Sequence, residues 1–179
     1  VSDKLVASRE LVTLMNDRLA EVSTSHGVGV QLRWRRRDDL DPNLDPMIDL
    51  LGKPPDLRTP EEDDRLIDAL SGRIGDARAA EPELAYRDLI RSVLDYRQWH
   101  EMSLYITRAG DTPRKLSRRT PLSEGEKKIV SYLALFAAVA ASWDSVAGAE
   151  PAAPRFVLLD DAFAKVSEDN HAQLFGLLV

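Results

Sequence analysis

Two short stretches of this chain carry residue types that could do chemistry. The first is Leu122-Ser123-Glu124-Gly125-Glu126-Lys127. A serine followed three residues later by a glutamate is a capping box, in which each side chain satisfies an orphan N–H group at a helix start. Such a start is also an anion site, because free N–H groups and the helix dipole favour negative charge. Glycine at 125 lets a ligand approach the backbone closely, and the Ser123 hydroxyl adds a donor. The second stretch is Phe156-Val157-Leu158-Leu159-Asp160-Asp161, an apolar run ending in paired acids. Many buried parallel strands look like this. The carboxyl ends of such strands are also where open α/β sheets hold ligands. Each stretch alone has a purely structural explanation. Their order, with a long apolar helix between them, points to function.

That helix runs from Glu124 to about Trp143 and is apolar nearly all round from Tyr132 onward, which predicts burial. Phe156 to Leu159 is expected to be the central strand, reached through a loop at 148–154, and Ser167 to cap a helix carrying His171, Leu174, Phe175 and Leu178. At the other end, Leu5, Val12 and Leu19 recur at seven-residue spacing with Met15 and Val22 between them, a coiled-coil or bundle seam over residues 1–22. Val30, Leu32 and Trp34 alternate with polar residues in a half-buried strand, leaving Arg33 and Arg35 outward beside Arg36 and Arg37. Four arginines so close could track a phosphate backbone. More commonly such a cluster pairs with neighbouring acids, and Asp38, Asp39 and Asp41 follow at once.

Residues 38–64 are acidic and proline-rich and read as a loop or insertion with one turn of helix around Pro46 to Leu51. Thr59-Pro60-Glu61-Glu62 is a second capping box, opening a helix with Leu66, Leu70 and Ile74 on one face. Pro82 is expected to begin a helix with Tyr86, Leu89, Ile90, Val93 and Leu94 on one side. Met102, Leu104 and Ile106 alternate with polar neighbours in a strand, and Gly110-Asp111 turns it into a loop carrying Arg114, Lys115, Arg118 and Arg119.

At 179 residues the chain can bury a sizeable core, and its 44% hydrophobic and 30% charged residues are ordinary for a globular protein. With no cysteine there is no disulfide framework, thiolate metal site or cysteine nucleophile, which fits a reducing interior. A net charge of −6 argues against a generally basic nucleic-acid binder and says nothing of local patches. The longest apolar run, Ile129 to Trp143, is too short to cross a bilayer comfortably, and no basic-then-apolar leader opens the sequence. No membrane partner is expected. His26, His100 and His171 lack metal-ligand spacing.

Taken together, the serine-led helix start and the run ending in Asp160-Asp161 resemble the ABC-type ATPase head of the SMC-like family, of the SbcC and MukB type. In that family an LSGGE-type signature opens a helix and an hhhhDE Walker B strand follows. Here Glu124 stands where the family has its first glycine, and Asp161 where it has a catalytic glutamate. Ala164-Lys165-Val166-Ser167 falls where the D-loop would be. Within the family, the runs Asp95-Tyr96-Arg97, Leu116-Ser117-Arg118-Arg119 and Asp160-Asp161-Ala162-Phe163-Ala164 resemble the JetC-type subunits of Wadjet plasmid-defence systems.

The resemblance implies an α/β fold: the C-terminal lobe of an ABC/SMC-type P-loop ATPase head, a partial sheet with packed helices. Residues 1–22 would be the root of a coiled-coil arm and 23–179 the lobe, with the insertion at 38–64, the signature helix at 122–143 and Walker B at 156–161. It implies ATP and Mg2+ as cofactors. Ser123, Gly125 and Glu126 would bind the ATP of a second head in a homodimer, Asp160 would hold Mg2+, and Asp161 would orient the attacking water as general base. No G-x-x-x-x-G-K-[ST] occurs in the sequence, so a Walker A lobe is expected from elsewhere in the same polypeptide. The chain alone is expected to be inactive. Double-stranded DNA is an implied partner, with Arg33, Arg35, Arg36, Arg37, Arg118 and Arg119 as candidate phosphate contacts. Kleisin-like and nuclease subunits and a cytoplasmic, nucleoid-associated location are implied as well. The competing reading is a module of the same fold that dimerises or binds DNA without hydrolysis. A transporter nucleotide-binding domain is disfavoured by Glu126-Lys127 and by the heptad helix.

Overall fold

The computed structural model describes residues 1–22, 27–108, 110–147, 156–158 and 168–178. The elements are α1 (Ser2–Ala20), β1 (Val28–Arg36), α2 (Asp45–Leu51), α3 (Pro60–Ala80), α4 (Tyr86–Val93), β2 (His100–Arg108), β3 (Arg114–Lys115), α5 (Glu124–Ala147) and α6 (Glu168–Gly176). The mixture of helices with a small sheet, in the order β1-β2-β3, is α/β in composition. The chain divides into two compact units, residues 1–8 with 35–101 and residues 9–34 with 102–179.

In the first unit, the acidic, proline-rich segment forms the helix expected around Pro46 to Leu51 as α2, and adds 3-10 turns at Pro42–Leu44 and Pro55–Leu57 where a loop was expected. The reason lies in where its prolines fall. Pro42, Pro46, Pro55 and Pro60 all occupy first or second positions of helical turns, where a missing N–H costs nothing and φ is already set. Met47, Ile48 and Leu51 on α2 are buried, and α2 packs against α3. Arg58 ties the junction, with Nη1 donating to the carbonyls of Leu50 (3.2 Å) and Lys53 (2.9 Å) while Nε donates to Asp63 Oδ1 at 2.7 Å. The helix α3 runs unbroken through Gly72 and Gly75. The next helix starts at Tyr86, later than Pro82 suggests, because Arg78 Nη1 holds the carbonyls of Pro82 (3.2 Å) and Leu84 (2.7 Å) in a turn.

The second unit holds the larger core. Met15 and Leu19 of α1, Val28, Val30 and Leu32 of β1, Ile106 of β2, and Ile129, Val130, Leu133, Phe136, Ala137 and Ala141 of α5 are buried together with Leu174 and Leu177. At Met15 and Leu19 the seven-residue seam is therefore spent on this core. Asn16 shields β1: its Nδ2 donates to the Leu32 carbonyl at 2.9 Å, and its Oδ1 accepts from the Leu32 N–H at 2.8 Å. A side-chain amide thus stands in for a neighbouring strand. β2 and β3 pair antiparallel, Tyr105 opposite Lys115 and Ile106 opposite Arg114, beyond a turn with Gly110 at φ 85°. That positive φ suits glycine.

The strand expected from Met102, Leu104 and Ile106 forms as β2, with Ile106 buried and Met102 55% exposed, because alternation sets a residue's side of the strand and not how much of that side is covered. Two expectations are corrected here. Helix α5 buries one face only, leaving Leu135 exposed along with Ser131 and Ser142. Residues 156–158, expected in the central strand, lie in no helix or strand, with Phe156 71% and Leu158 89% exposed. A buried strand needs hydrogen-bonded neighbours, and among the described residues nothing pairs with this run. No helix among the described residues is long and apolar enough to cross a membrane.

Candidate functional site

The signature stretch sits at a helix start that the chain builds with care. Leu122 is buried in the second unit's core and anchors the N-terminal end of α5. The preceding loop is a tight turn, with the Ser117 N–H donating to Thr120 Oγ1 at 2.8 Å and the Leu122 N–H to the Thr120 carbonyl at 2.9 Å. The capping box then forms as the spacing predicts. The Ser123 N–H donates to Glu126 Oε2 at 2.7 Å, and the Glu126 N–H donates to Ser123 Oγ at 3.2 Å. Because Ser123 Oγ accepts that bond, its own proton is left to be donated outward from an exposed position. This arrangement fits an anion. Glu124 is exposed at the surface beside it.

One participant carried no signal in the sequence. Arg108, at the end of β2, donates from Nη2 to Glu126 Oε1 and to the Pro121 carbonyl, both at 3.2 Å. Glu126 is thereby held through both oxygens, one by the Ser123 backbone and one by a guanidinium. From residue 108 to 128 the chain carries seven basic and three acidic side chains, so a protein of net charge −6 is locally positive beside the signature. Arg114, Arg118 and Arg119 are exposed and have no acidic partner among the described residues.

The arginines of β1 are placed differently. Arg35 pairs with Glu101 (3.3 Å) and Asp38 (3.5 Å), Arg36 with Asp45 (3.1 Å) and Asp49, and Arg37 with Asp39 (2.8 Å). The Asp39 hydrogen bond, chiefly, raises the Arg37 pKa and lowers that of Asp39. Arg33 stacks its guanidinium 4.0 Å from the Tyr105 ring centroid, a cation–π contact. These four positive charges are largely engaged by the chain's own acids and aromatic ring.

Residues 91–179, almost half of the chain, match the family model described as "SbcC/RAD50-like, Walker B motif". This half is similar to the SMC-like ABC ATPases. No curated protein and no solved structure matches the chain. Full-length SbcC/RAD50-like proteins are ATPases that bind ATP and Mg2+. The match takes in Ser123, Gly125, Glu126, Asp160 and Asp161, and leaves the α2–α3 segment outside it. Of the residues assigned from the sequence, Ser123, Gly125 and Glu126 are brought together at the start of α5. Asp160, Asp161 and the 164–167 segment lie outside the described residues. No group of three acidic or histidine side chains that could hold a metal occurs among the described residues. Asp95 caps a 3-10 turn and is held by Arg97 through Nε (2.6 Å) and Nη2 (3.0 Å), which keeps its carboxyl below the usual carboxylate range. His100 is buried, its Nδ1 3.2 Å from the Tyr96 carbonyl, in a structural role.

Proposed function

We propose that this chain is the C-terminal lobe of a split SMC-like ATPase head, whose ATP sites are completed by a Walker A lobe of the same polypeptide and by a second head. The observation that carries the reading is the Ser123–Glu126 box at the start of α5, inside the family match, with its serine proton free to meet an anion. In this reading Ser123 and Gly125 bind the γ-phosphate of the partner head's ATP. Asp160 holds Mg2+, an oxygen-seeking cation, and Asp161 orients the attacking water. Bound Mg2+ would supply charge neutralisation at the phosphates, as phosphoryl transfer requires. The exposed apolar side chains of Phe156 and Leu158 support the reading, since apolar surface left uncovered here suits a run that another lobe covers. Residues 1–22 serve as the root of the coiled-coil arm.

On this basis the assembled protein works on double-stranded DNA, extruding or clamping it, with kleisin-like and nuclease subunits, in the cytoplasm near the nucleoid. The resemblance of Asp95-Tyr96-Arg97 and Leu116-Ser117-Arg118-Arg119 to JetC-type subunits favours a role in plasmid defence, with Arg118 and Arg119 the best placed of the candidate phosphate contacts. A second reading rests on Asp161. This side chain is one methylene shorter than glutamate, and a displacement of about 1 Å can cost a hundredfold in rate, which favours a head that dimerises on ATP without efficient hydrolysis. Two experiments on the full-length protein separate these readings. ATP-dependent dimerisation is expected for wild type and lost in Ser123→Arg; equal dimerisation by the variant defeats the signature assignment. Steady-state ATP turnover is expected to fall at least tenfold in Asp161→Asn, as removal of a general base does; unchanged turnover removes Asp161 from the role.

A further inference from the structure

We infer that Arg108 is a positioning residue for the signature: it aims the Ser123 hydroxyl and offsets the Glu126 charge beside the phosphate that the hydroxyl meets. The inference rests on the signature reading of Ser123 given above. Glu126 poses a problem for that reading, because a carboxylate next to an anion-binding hydroxyl repels phosphate. Arg108 answers it with a single guanidinium donor shared between Glu126 Oε1 and the Pro121 carbonyl, each at 3.2 Å. The first contact neutralises the carboxylate and fixes its orientation, so that Oε2 faces the Ser123 N–H at 2.7 Å. The second pins the residue that precedes Leu122 and thereby the entry of the chain into α5. The Glu126 N–H in turn holds Ser123 Oγ, so the direction in which the serine proton is offered passes through Glu126 to Arg108.

Arg108 adds little to folding by this contact. Its side chain is 47% exposed, and an exposed ion pair is a weak source of stability. The effect expected of its loss is therefore on nucleotide-dependent contact between heads. The molecule supplies its own control in Lys53, which grips the glutamate of the other capping box, Nζ to Glu62 Oε2 at 2.6 Å, within the first unit.

The test uses the full-length ATPase, ATP and Mg2+, with Arg108→Gln, Arg108→Lys and Lys53→Gln. Arg108→Gln is expected to raise the ATP concentration for half-maximal dimerisation roughly tenfold, on the scale of misplaced binding groups. Arg108→Lys, which keeps the charge and loses the fork, is expected to recover part of that shift, and Lys53→Gln to leave it at the wild-type value. Amide hydrogen exchange is expected to quicken over residues 123–126 in Arg108→Gln while residues 59–62 stay protected. Wild-type half-maximal ATP in Arg108→Gln, or an equal shift in Lys53→Gln, overturns the inference. If Arg108→Gln does not fold, Arg108→Lys carries the test, and its dimerising at the wild-type ATP concentration with unchanged exchange over 123–126 overturns the inference as well. Wild-type protein that never dimerises on ATP sinks the signature reading itself, and the inference with it. Exchange over 123–126 still reports separately whether Arg108 holds the cap.

Discussion

The chain contains the same local device twice. At Thr59–Glu62 and at Ser123–Glu126, a hydroxyl accepts from the backbone N–H three residues on (3.3 and 3.2 Å), and the glutamate accepts from the cap residue's N–H (2.9 and 2.7 Å). Each glutamate also has a basic partner, Lys53 in one case and Arg108 in the other. What differs is the setting. The first box has proline at the first helical position and opens α3 among the acids of residues 38–64. The second has glycine at the second helical position, opens the core helix α5, and follows a loop whose Arg114, Arg118 and Arg119 lack acidic partners among the described residues. The lesson is that a capping box by itself is helix chemistry. It becomes a candidate anion site only where charge and backbone access around it favour an anion.

The comparison breaks most visibly if a bulky cation is placed on each cap. Ser123→Arg should abolish ATP-dependent dimerisation of the full-length protein, and Thr59→Arg should leave it intact. Loss with both variants would mean that dimerisation follows general stability. The two helices should differ next in what they contribute to folding. Phe136 on α5 is fully buried, so Phe136→Ala should cost about 3–5 kcal/mol in chemical denaturation. On α3 only Leu66 is buried, and Leu66→Ala should cost about 2 kcal/mol, the low end for such a change. Comparable losses would show that the two helices carry equal shares of their cores. Smaller again is removal of the caps: Ser123→Ala and Thr59→Ala should each cost about 1 kcal/mol, read as similar shifts in urea midpoint, with only the serine variant altering the ATP dependence of dimerisation.

Both boxes were legible because capping is local: the residues that make it lie within four positions. Strand β1, the α5 start and the inner face of α4, apart from the exposed Tyr86, were legible for the same reason, since their periodicity sits in neighbouring residues. Arg108 was not, because its value comes from an eighteen-residue separation closed by the β2–β3 hairpin, and nothing marks it among the arginines nearby. Residues 38–64 were legible in part: the helix around Pro46 to Leu51 and the start at Thr59 form as expected. Composition hid the rest, because four of the five prolines fall at first or second helical positions, and Leu44, Met47, Ile48 and Leu51 are buried. The run Phe156-Val157-Leu158 misled in the opposite direction: its apolarity describes a strand's preference, while a strand exists only with a neighbour to bond.

The smallest effect should separate the acid sensitivity of the first box from that of its helix as a whole. The Glu62 carboxylate accepts from Lys53 Nζ and from the Thr59 N–H, and these bonds, the Lys53 one foremost, hold its pKa below the usual glutamate range. A group whose pKa is lower folded than unfolded contributes stability that is fully present above its unfolded pKa and is lost as pH falls through the folded value. The contribution of Glu62 should therefore be constant from neutral pH down to the ordinary glutamate range and fade below it. Glu62→Gln cannot ionise, so the gap in urea midpoint between wild type and the variant should be widest near neutrality and close as the solution is acidified. Lys53→Gln should narrow that gap at neutral pH, because it removes the larger of the two causes. A gap that stays constant to low pH would show that Glu62 acts through the shape of its side chain and not through its charge, and would leave the two boxes alike in geometry only.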